Sequence, residues 1–139
     1  MFKINLISAI LIVFFFSGSV FSQKTFAKSQ FNGTWQYQSD IFKIQVVGKN
    51  KLKIEYQGLW EYKFEGEPIA NVGEAKGFAV LQNNKAIFKF KEKPECRMVL
   101  KFTSNRLIVK DNGKCEFGRH VNPGGNYRHI NSQKPKFNW

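Results

Sequence analysis

The sequence predicts an all-β protein, a small antiparallel up-and-down barrel of about eight strands. Apolar and polar side chains alternate with a period of two over most of the chain, and almost no stretch repeats with the helical period. Short turn signals containing Gly or Asn separate the alternating stretches. Closing consecutive strands into a barrel removes exposed sheet edges, so a barrel is favoured over the alternative, a two-sheet sandwich.

Each predicted strand has one apolar face and one polar face, which is typical of antiparallel sheets that bury one side. Residues 41–47 place Phe42 and Ile44 opposite Lys43, and residues 85–91 place Phe88 opposite Lys89. The same alternation predicts strands at residues 33–39, 51–56, 74–82, 98–102, 107–111 and 126–130. The clearest turn signals are Gly48-Lys49-Asn50, Asn83-Asn84, Ser104-Asn105 and Asn112-Gly113.

Two segments lack this regularity. Residues 60–73 hold Pro68 and several glutamates, and we interpret them as a longer loop over a barrel mouth. The C-terminal tail, residues 131–139, is polar apart from Phe137 and Trp139, and we expect it to fray unless Trp139 docks.

The N-terminus has the order of a secretory signal peptide over residues 1–22, with Lys3 first, then an apolar run, then small residues before Gln23. The alternatives are a cut after Ala27 and an uncleaved anchor, although the apolar run is shorter than the roughly 20 residues that a spanning helix needs. We therefore expect a flexible lead-in over residues 23–30 and a barrel domain over residues 31–130. The processed protein is expected to be periplasmic or secreted, and not membrane-spanning.

Cys96 and Cys115 are the two cysteines of the chain. A pair behind an export signal predicts a disulfide bond. The alternatives are two free thiols or half of a metal site. The histidines, His120 and His129, match no familiar zinc spacing. We therefore predict no metal site and no cofactor.

The formal net charge is +12 over 139 residues. So basic a small protein favours anionic partners, such as an anionic envelope component or an acidic protein. The alternative is that the lysines only keep an exported barrel soluble. A nucleic-acid platform is disfavoured, because Phe88 and Phe90 share the face that should form the core, and because export separates the protein from nucleic acid.

The inward side chains give a second candidate ligand site. Phe42, Ile44, Phe88, Phe90 and Phe102 would line a barrel cavity able to hold a hydrophobic or amphipathic small molecule. A barrel so rich in phenylalanine could equally be filled by its own side chains. Both alternatives stay open at the level of sequence.

Catalysis finds little support in the sequence, and we predict no catalytic residues. A nucleophile needs a positioned base and an orienting acid, whereas both cysteines are expected to be oxidised and the acids are scattered. A hydrolase that uses His120 or His129 is the remaining alternative.

Gly33 and Trp35 open the predicted barrel, and Arg128 stands near its end. This pattern resembles the Gly-x-Trp opening of lipocalins and the wider calycin group, which makes the predicted barrel calycin-like. The resemblance covers three positions. It implies that Gly33, Trp35 and Arg128 are structural closure residues, with the arginine packed across the tryptophan.

A C-terminal block contains Cys115-Glu116-Phe117-Gly118, then Val121, then Gly125-Asn126-Tyr127-Arg128. It resembles a block in small secreted bacterial proteins of unknown function. The resemblance implies no activity. We interpret Gly118, Gly125 and Tyr127 as structural closure residues, with a loop that grips a ligand as the alternative.

Together these observations favour an exported, non-catalytic binding protein. Its ligand is either an apolar or amphipathic molecule in the barrel or an anionic envelope surface. The alternative is a protein-interaction factor, such as a hydrolase inhibitor or an immunity-type protein, using residues 60–73 or 119–126 to plug a partner's site.

Overall fold

A computed structural model describes residues 27–139. The predicted signal peptide and the first part of the lead-in lie outside the described residues. After a short 3₁₀ turn at Lys28–Gln30, eight antiparallel strands follow in order and close into a barrel. The strands are β1 (Gly33–Tyr37), β2 (Asp40–Val46), β3 (Lys51–Phe64), β4 (Glu67–Gln82), β5 (Lys85–Lys89), β6 (Arg97–Phe102), β7 (Arg106–Asp111) and β8 (Gly125–Asn131). The predicted eight-stranded barrel is confirmed, and the sandwich is wrong.

The strand registers explain why the alternating pattern folds this way. Phe42 pairs with Tyr56, and Phe88 pairs with Met98, so buried side chains face the same interior from neighbouring strands. The intervening lysines point outward. A slip of one residue would expose the whole apolar set, so burial fixes the register.

Residues 60–73 are not a loop, so this prediction was wrong. They form the outer part of a long hairpin, in which β3 and β4 pair as far as Phe64 and Glu67 and turn through Glu65-Gly66. Both turn residues have positive φ, as a tight hairpin turn requires. Pro68 is tolerated because this part of β4 has β3 as its only paired neighbour, which leaves the other edge free.

The C-terminal tail docks on the outside of β3 and β4. Trp139 packs edge-on against Phe78 with ring centroids 5.4 Å apart, and Lys53 donates a hydrogen bond to the main-chain oxygen of Trp139 at 3.0 Å. The Asn138 amide also donates to the Glu55 carboxylate at 2.8 Å. The tail therefore covers part of the β3–β4 surface.

Cys96 and Cys115 form the predicted disulfide, which joins the start of β6 to the loop after β7. Both cysteines are fully buried. Such bonds are typical of proteins that mature in oxidising compartments. Within residues 27–139, no helix has the length and apolar character needed to cross a membrane.

Removing the disulfide tests its contribution. The variant Cys96→Ser/Cys115→Ser should lose about 3 kcal/mol of unfolding free energy, because the bond closes a loop across 19 residues. Urea unfolding followed by tryptophan fluorescence measures the loss, and the variant should no longer respond to added dithiothreitol. An unchanged unfolding midpoint would contradict a stabilising disulfide.

Candidate functional site

The barrel interior is filled by aromatic rings. The residues predicted to line a ligand cavity, Phe42, Ile44, Phe88, Phe90 and Phe102, are all buried. The Phe42 ring lies 4.9 Å from the Tyr56 ring and 5.0 Å from the Tyr127 ring, and the Phe102 ring lies 5.8 Å from that of Trp35. These side chains pack on one another, which favours the filled barrel over the hollow one.

Arg128 does not cover Trp35, so that implication of the calycin resemblance is wrong. A register shift between Thr34 and Trp35 pairs Trp35 with His129, and the two rings stack 4.1 Å apart. The His129 Nε2–H donates to the Asn32 carbonyl oxygen at 2.9 Å, whereas Arg128 points outward and is exposed. Gly33 is required beside them, because its φ is +123° and a Cβ there would overlap the Asn131 carbonyl.

The C-terminal block packs against the end of β1 and against β4. The buried Tyr127 hydroxyl donates to the Pro123 carbonyl oxygen at 2.7 Å. Gly125 lies against the Tyr37 ring with no space for a Cβ, and Gly118 forms a β-bridge with Val121. None of these three residues lines one of the pockets described below.

Asp40 anchors the point at which the long hairpin leaves the barrel. Its carboxylate accepts hydrogen bonds from the Leu59 amide and the Tyr56 hydroxyl, each at 3.1 Å. Burial raises the pKa of the Asp40 carboxyl, and the two hydrogen bonds oppose that rise. Burial, followed by the nearby Asp40 charge, raises the pKa of Tyr56, which keeps its hydroxyl protonated as a donor.

The outward side of β5–β8 is a cationic face, and it is the first candidate site. Inward Phe88, Leu100, Val109 and Tyr127 fix the direction of their outward neighbours. The cationic face consists of the outward residues Lys85, Lys89, Arg97, Lys101, Arg106, Lys110 and Arg128. On these described strands, no outward position holds a carboxylate.

The registers place like charges directly opposite one another on this face. Lys85 pairs with Lys101 and Lys89 pairs with Arg97, both across β5 and β6. Arg106 similarly pairs with Arg128 across β7 and β8. Like charges in such cross-strand pairs destabilise a sheet.

The opposite side of the barrel is arranged differently. There Lys43 pairs with Glu55 and forms an ion pair at 2.8 Å, and Glu55 pairs in turn with Lys76. Alternating charges therefore neutralise one another on β2–β4, so the unbalanced charge of the cationic face is local.

A groove, which we name the seam groove, runs along one edge of the cationic face. It forms because β4 and β5 pair only through Leu81 with Ala86 and Gln82 with Lys85 before they diverge. Its volume is about 1050 Å³. Its lining includes the exposed apolar side chains Phe78, Val80 and Ile87 and the lysines Lys51, Lys85 and Lys89.

Two smaller pockets lie elsewhere. One, of about 470 Å³, combines Phe90 and Phe117 with acidic and basic side chains including Glu74, Lys76 and Glu116. The other, of about 210 Å³, is the root pocket, where the long hairpin meets the loop that follows the disulfide. Its lining residues are Trp60, Tyr62, Asn71, Arg119 and His120. The sequence singled out both segments as candidate plugs but could not show that they meet.

The two histidines lie in separate aromatic contacts. His129 stacks on Trp35, the His120 ring lies against Trp60, and among residues 27–139 neither ring hydrogen-bonds to a carboxylate. Within the same residues, no cluster of three or more His, Cys, Asp or Glu side chains could hold a metal ion.

Comparison of the chain with protein-family models, with curated proteins and with solved structures finds no match. The two resemblances of the sequence therefore remain expectations.

Substitutions on β8 test whether His129 or Arg128 packs on Trp35. His129→Ala should lower the unfolding free energy by about 1–2 kcal/mol, since it removes the ring stack and a hydrogen bond. Arg128→Ala, an exposed change, should stay within about 0.5 kcal/mol of wild type. Urea unfolding of both variants measures this, and the reverse order would show that Arg128 carries the packing.

Proposed function

We propose that this protein is a non-catalytic binding protein that attaches to an anionic lipid surface through the cationic face of β5–β8. The observation that carries the proposal is the stacking of like charges in register on that face, with Lys85 opposite Lys101 and Arg106 opposite Arg128. The same strands hold no outward carboxylate in the described chain.

The like-charge pairs have an energetic cost. Each opposed pair of cations costs stability in the free protein, and the repulsion falls when an anionic partner lies over the pair. The β2–β4 side shows that this fold accommodates neutralised pairs, as in Lys43 with Glu55. A face that keeps its repulsion is best explained by a partner that supplies the missing negative charge.

Apolar side chains in and beside the cationic face indicate the kind of anion. Ile87 and Val99 pair with each other in the middle of the cationic face, and the adjoining seam groove exposes Phe78 and Val80 by 46% and 60%. A nucleic-acid backbone offers nothing to such apolar side chains, whereas an anionic lipid combines a charged headgroup with apolar chains. Basic residues near an anionic bilayer contribute about 1 kcal/mol each.

Location agrees with this proposal. The predicted signal peptide would export the chain, and the disulfide fits an oxidising compartment. We place the processed protein in the periplasm or outside the cell, where its partner would be an anionic envelope component. No small molecule in the barrel is needed, since the interior is filled by the protein's own rings.

Vesicle co-sedimentation tests the proposal. The protein should bind vesicles that contain phosphatidylglycerol, but not vesicles of phosphatidylcholine alone, and salt should weaken binding. Lys85→Gln/Lys89→Gln/Lys101→Gln should weaken binding roughly a hundredfold, since three headgroup contacts are lost. The matched control Lys49→Gln/Lys63→Gln/Lys76→Gln has the same net charge and should bind nearly as well as wild type.

Equal losses in the two triple variants would mean that total charge, and not the cationic face, governs binding, and would overturn the proposal. Tighter binding of an oligonucleotide or an acidic protein than of the vesicles, through the same lysines, would also overturn it.

A further inference from the structure

The root pocket lies away from the cationic strands and is built from two segments that the proposed function does not use. The hairpin arm, residues 58–73, supplies Trp60, Tyr62 and Asn71, and the loop after the disulfide supplies Arg119 and His120. Among residues 27–139, the two strands of the arm pair only with each other outside the barrel wall. The arm therefore presents its rings to solvent unless a ligand covers them.

The loop is fixed against the base of the arm. Gly58 and Gly73 pair across β3 and β4. The Val121 side chain packs against both glycines, which have no space for a side chain of their own. A Cβ at Gly73 would lie 2.7 Å from the Val121 side chain. The Phe117 amide donates to the Val121 carbonyl oxygen at 3.0 Å, and the Asn71 side-chain amide donates to the Arg119 carbonyl oxygen at 2.9 Å. The pocket is thus preorganised.

His120 is held in a conformation that non-glycine residues rarely adopt, with a φ of 64°. Its amide donates to the Glu116 carboxylate at 3.0 Å, and its ring lies 5.3 Å from that of Trp60. Strained residues of this kind cluster at binding sites, where the surrounding structure holds them in place. This backbone conformation places the imidazole beside Trp60 and in the pocket wall.

The chemistry of the lining points to a sugar. Trp60 and Tyr62 remain 45% and 39% exposed, so their faces can stack on the C–H face of a pyranose ring. Arg119, His120 and Asn71 surround these rings with polar groups that suit ring hydroxyls. In the described chain no carboxylate forms an ion pair with Arg119, so its guanidinium can take a carboxylate or sulfate group.

We propose that the root pocket binds an acidic sugar residue, stacked on Trp60 and Tyr62 and held through its anionic group by Arg119. A pocket of about 210 Å³ suits one ring of a longer glycan chain, which would leave through the open side. This site is independent of the cationic face, because none of its lining residues belongs to β5–β8.

Titration with oligogalacturonides and, as the neutral probe, cello-oligosaccharides tests this inference. We expect the acidic probe to quench tryptophan fluorescence and to shift the amide signals of Trp60 and His120 in ¹H–¹⁵N spectra. Trp60→Ala should weaken binding about tenfold. Arg119→Gln should remove the preference for the acidic probe over the neutral one.

Two controls keep the result specific. Phe64→Ala removes an exposed ring of the same arm that does not line the pocket, and it should bind like wild type. Lys85→Gln/Lys89→Gln/Lys101→Gln should also bind the acidic probe normally, whatever its behaviour with vesicles. All four variants change exposed side chains, and their unfolding midpoints verify that the fold is intact.

Loss of oligogalacturonide binding in the lysine variant, together with wild-type binding by Trp60→Ala, would assign the sugar to the cationic face and overturn the inference. Absence of binding to both saccharide probes would overturn it as well. An equal loss of acidic and neutral binding in Arg119→Gln would refute the assigned role of the guanidinium.

Discussion

The aromatic packing inside the barrel constrains everything else in this structure. Trp35 packs on Phe102, Phe42 packs on both Tyr56 and Tyr127, and all five side chains are buried in the interior. Large rings contribute much of the burial energy of a small domain, so emptying the interior for a ligand would remove its main source of stability. Recognition is therefore left to the outer surface and to the segments that extend beyond the barrel wall.

The outer surface of the protein has three parts that differ in charge and packing. On β2–β4 the charges neutralise one another, as Lys43 and Glu55 do, and the tail docks there through Trp139. On β5–β8 the charges remain unopposed, and the seam groove adds an apolar strip. The arm carries a third surface, whose rings are positioned by a loop that begins at the disulfide. The barrel thus has a neutralised surface on β2–β4, the cationic face on β5–β8 and a third surface on the arm.

The sequence predicts the strands well. Alternation such as Phe42 with Lys43 fixes which side chains face the single core and which face solvent. It fails for the arm, where Trp60, Tyr62 and Phe64 alternate correctly but have no core behind them, and where Pro68 argues against a strand. It also fails at Trp35, where the calycin resemblance places Arg128 over the ring. On β8, His129 lies on the same face as the inward Tyr127, and Arg128 faces outward. The like-charge pairs of the cationic face could not be predicted for a similar reason. The sequence shows lysines at alternate positions, but the strand register decides which of them lie opposite one another.

The like-charge pairs of the cationic face should lower the unfolding free energy of the free protein. Urea unfolding at low salt compares wild type with Lys101→Glu, which places a carboxylate opposite Lys85. This variant should be more stable than wild type by about 1 kcal/mol, and the gain should shrink as salt is added. An unchanged or lower unfolding free energy at low salt would contradict the proposal, since the like-charge pairs would then carry no cost that a partner needs to relieve.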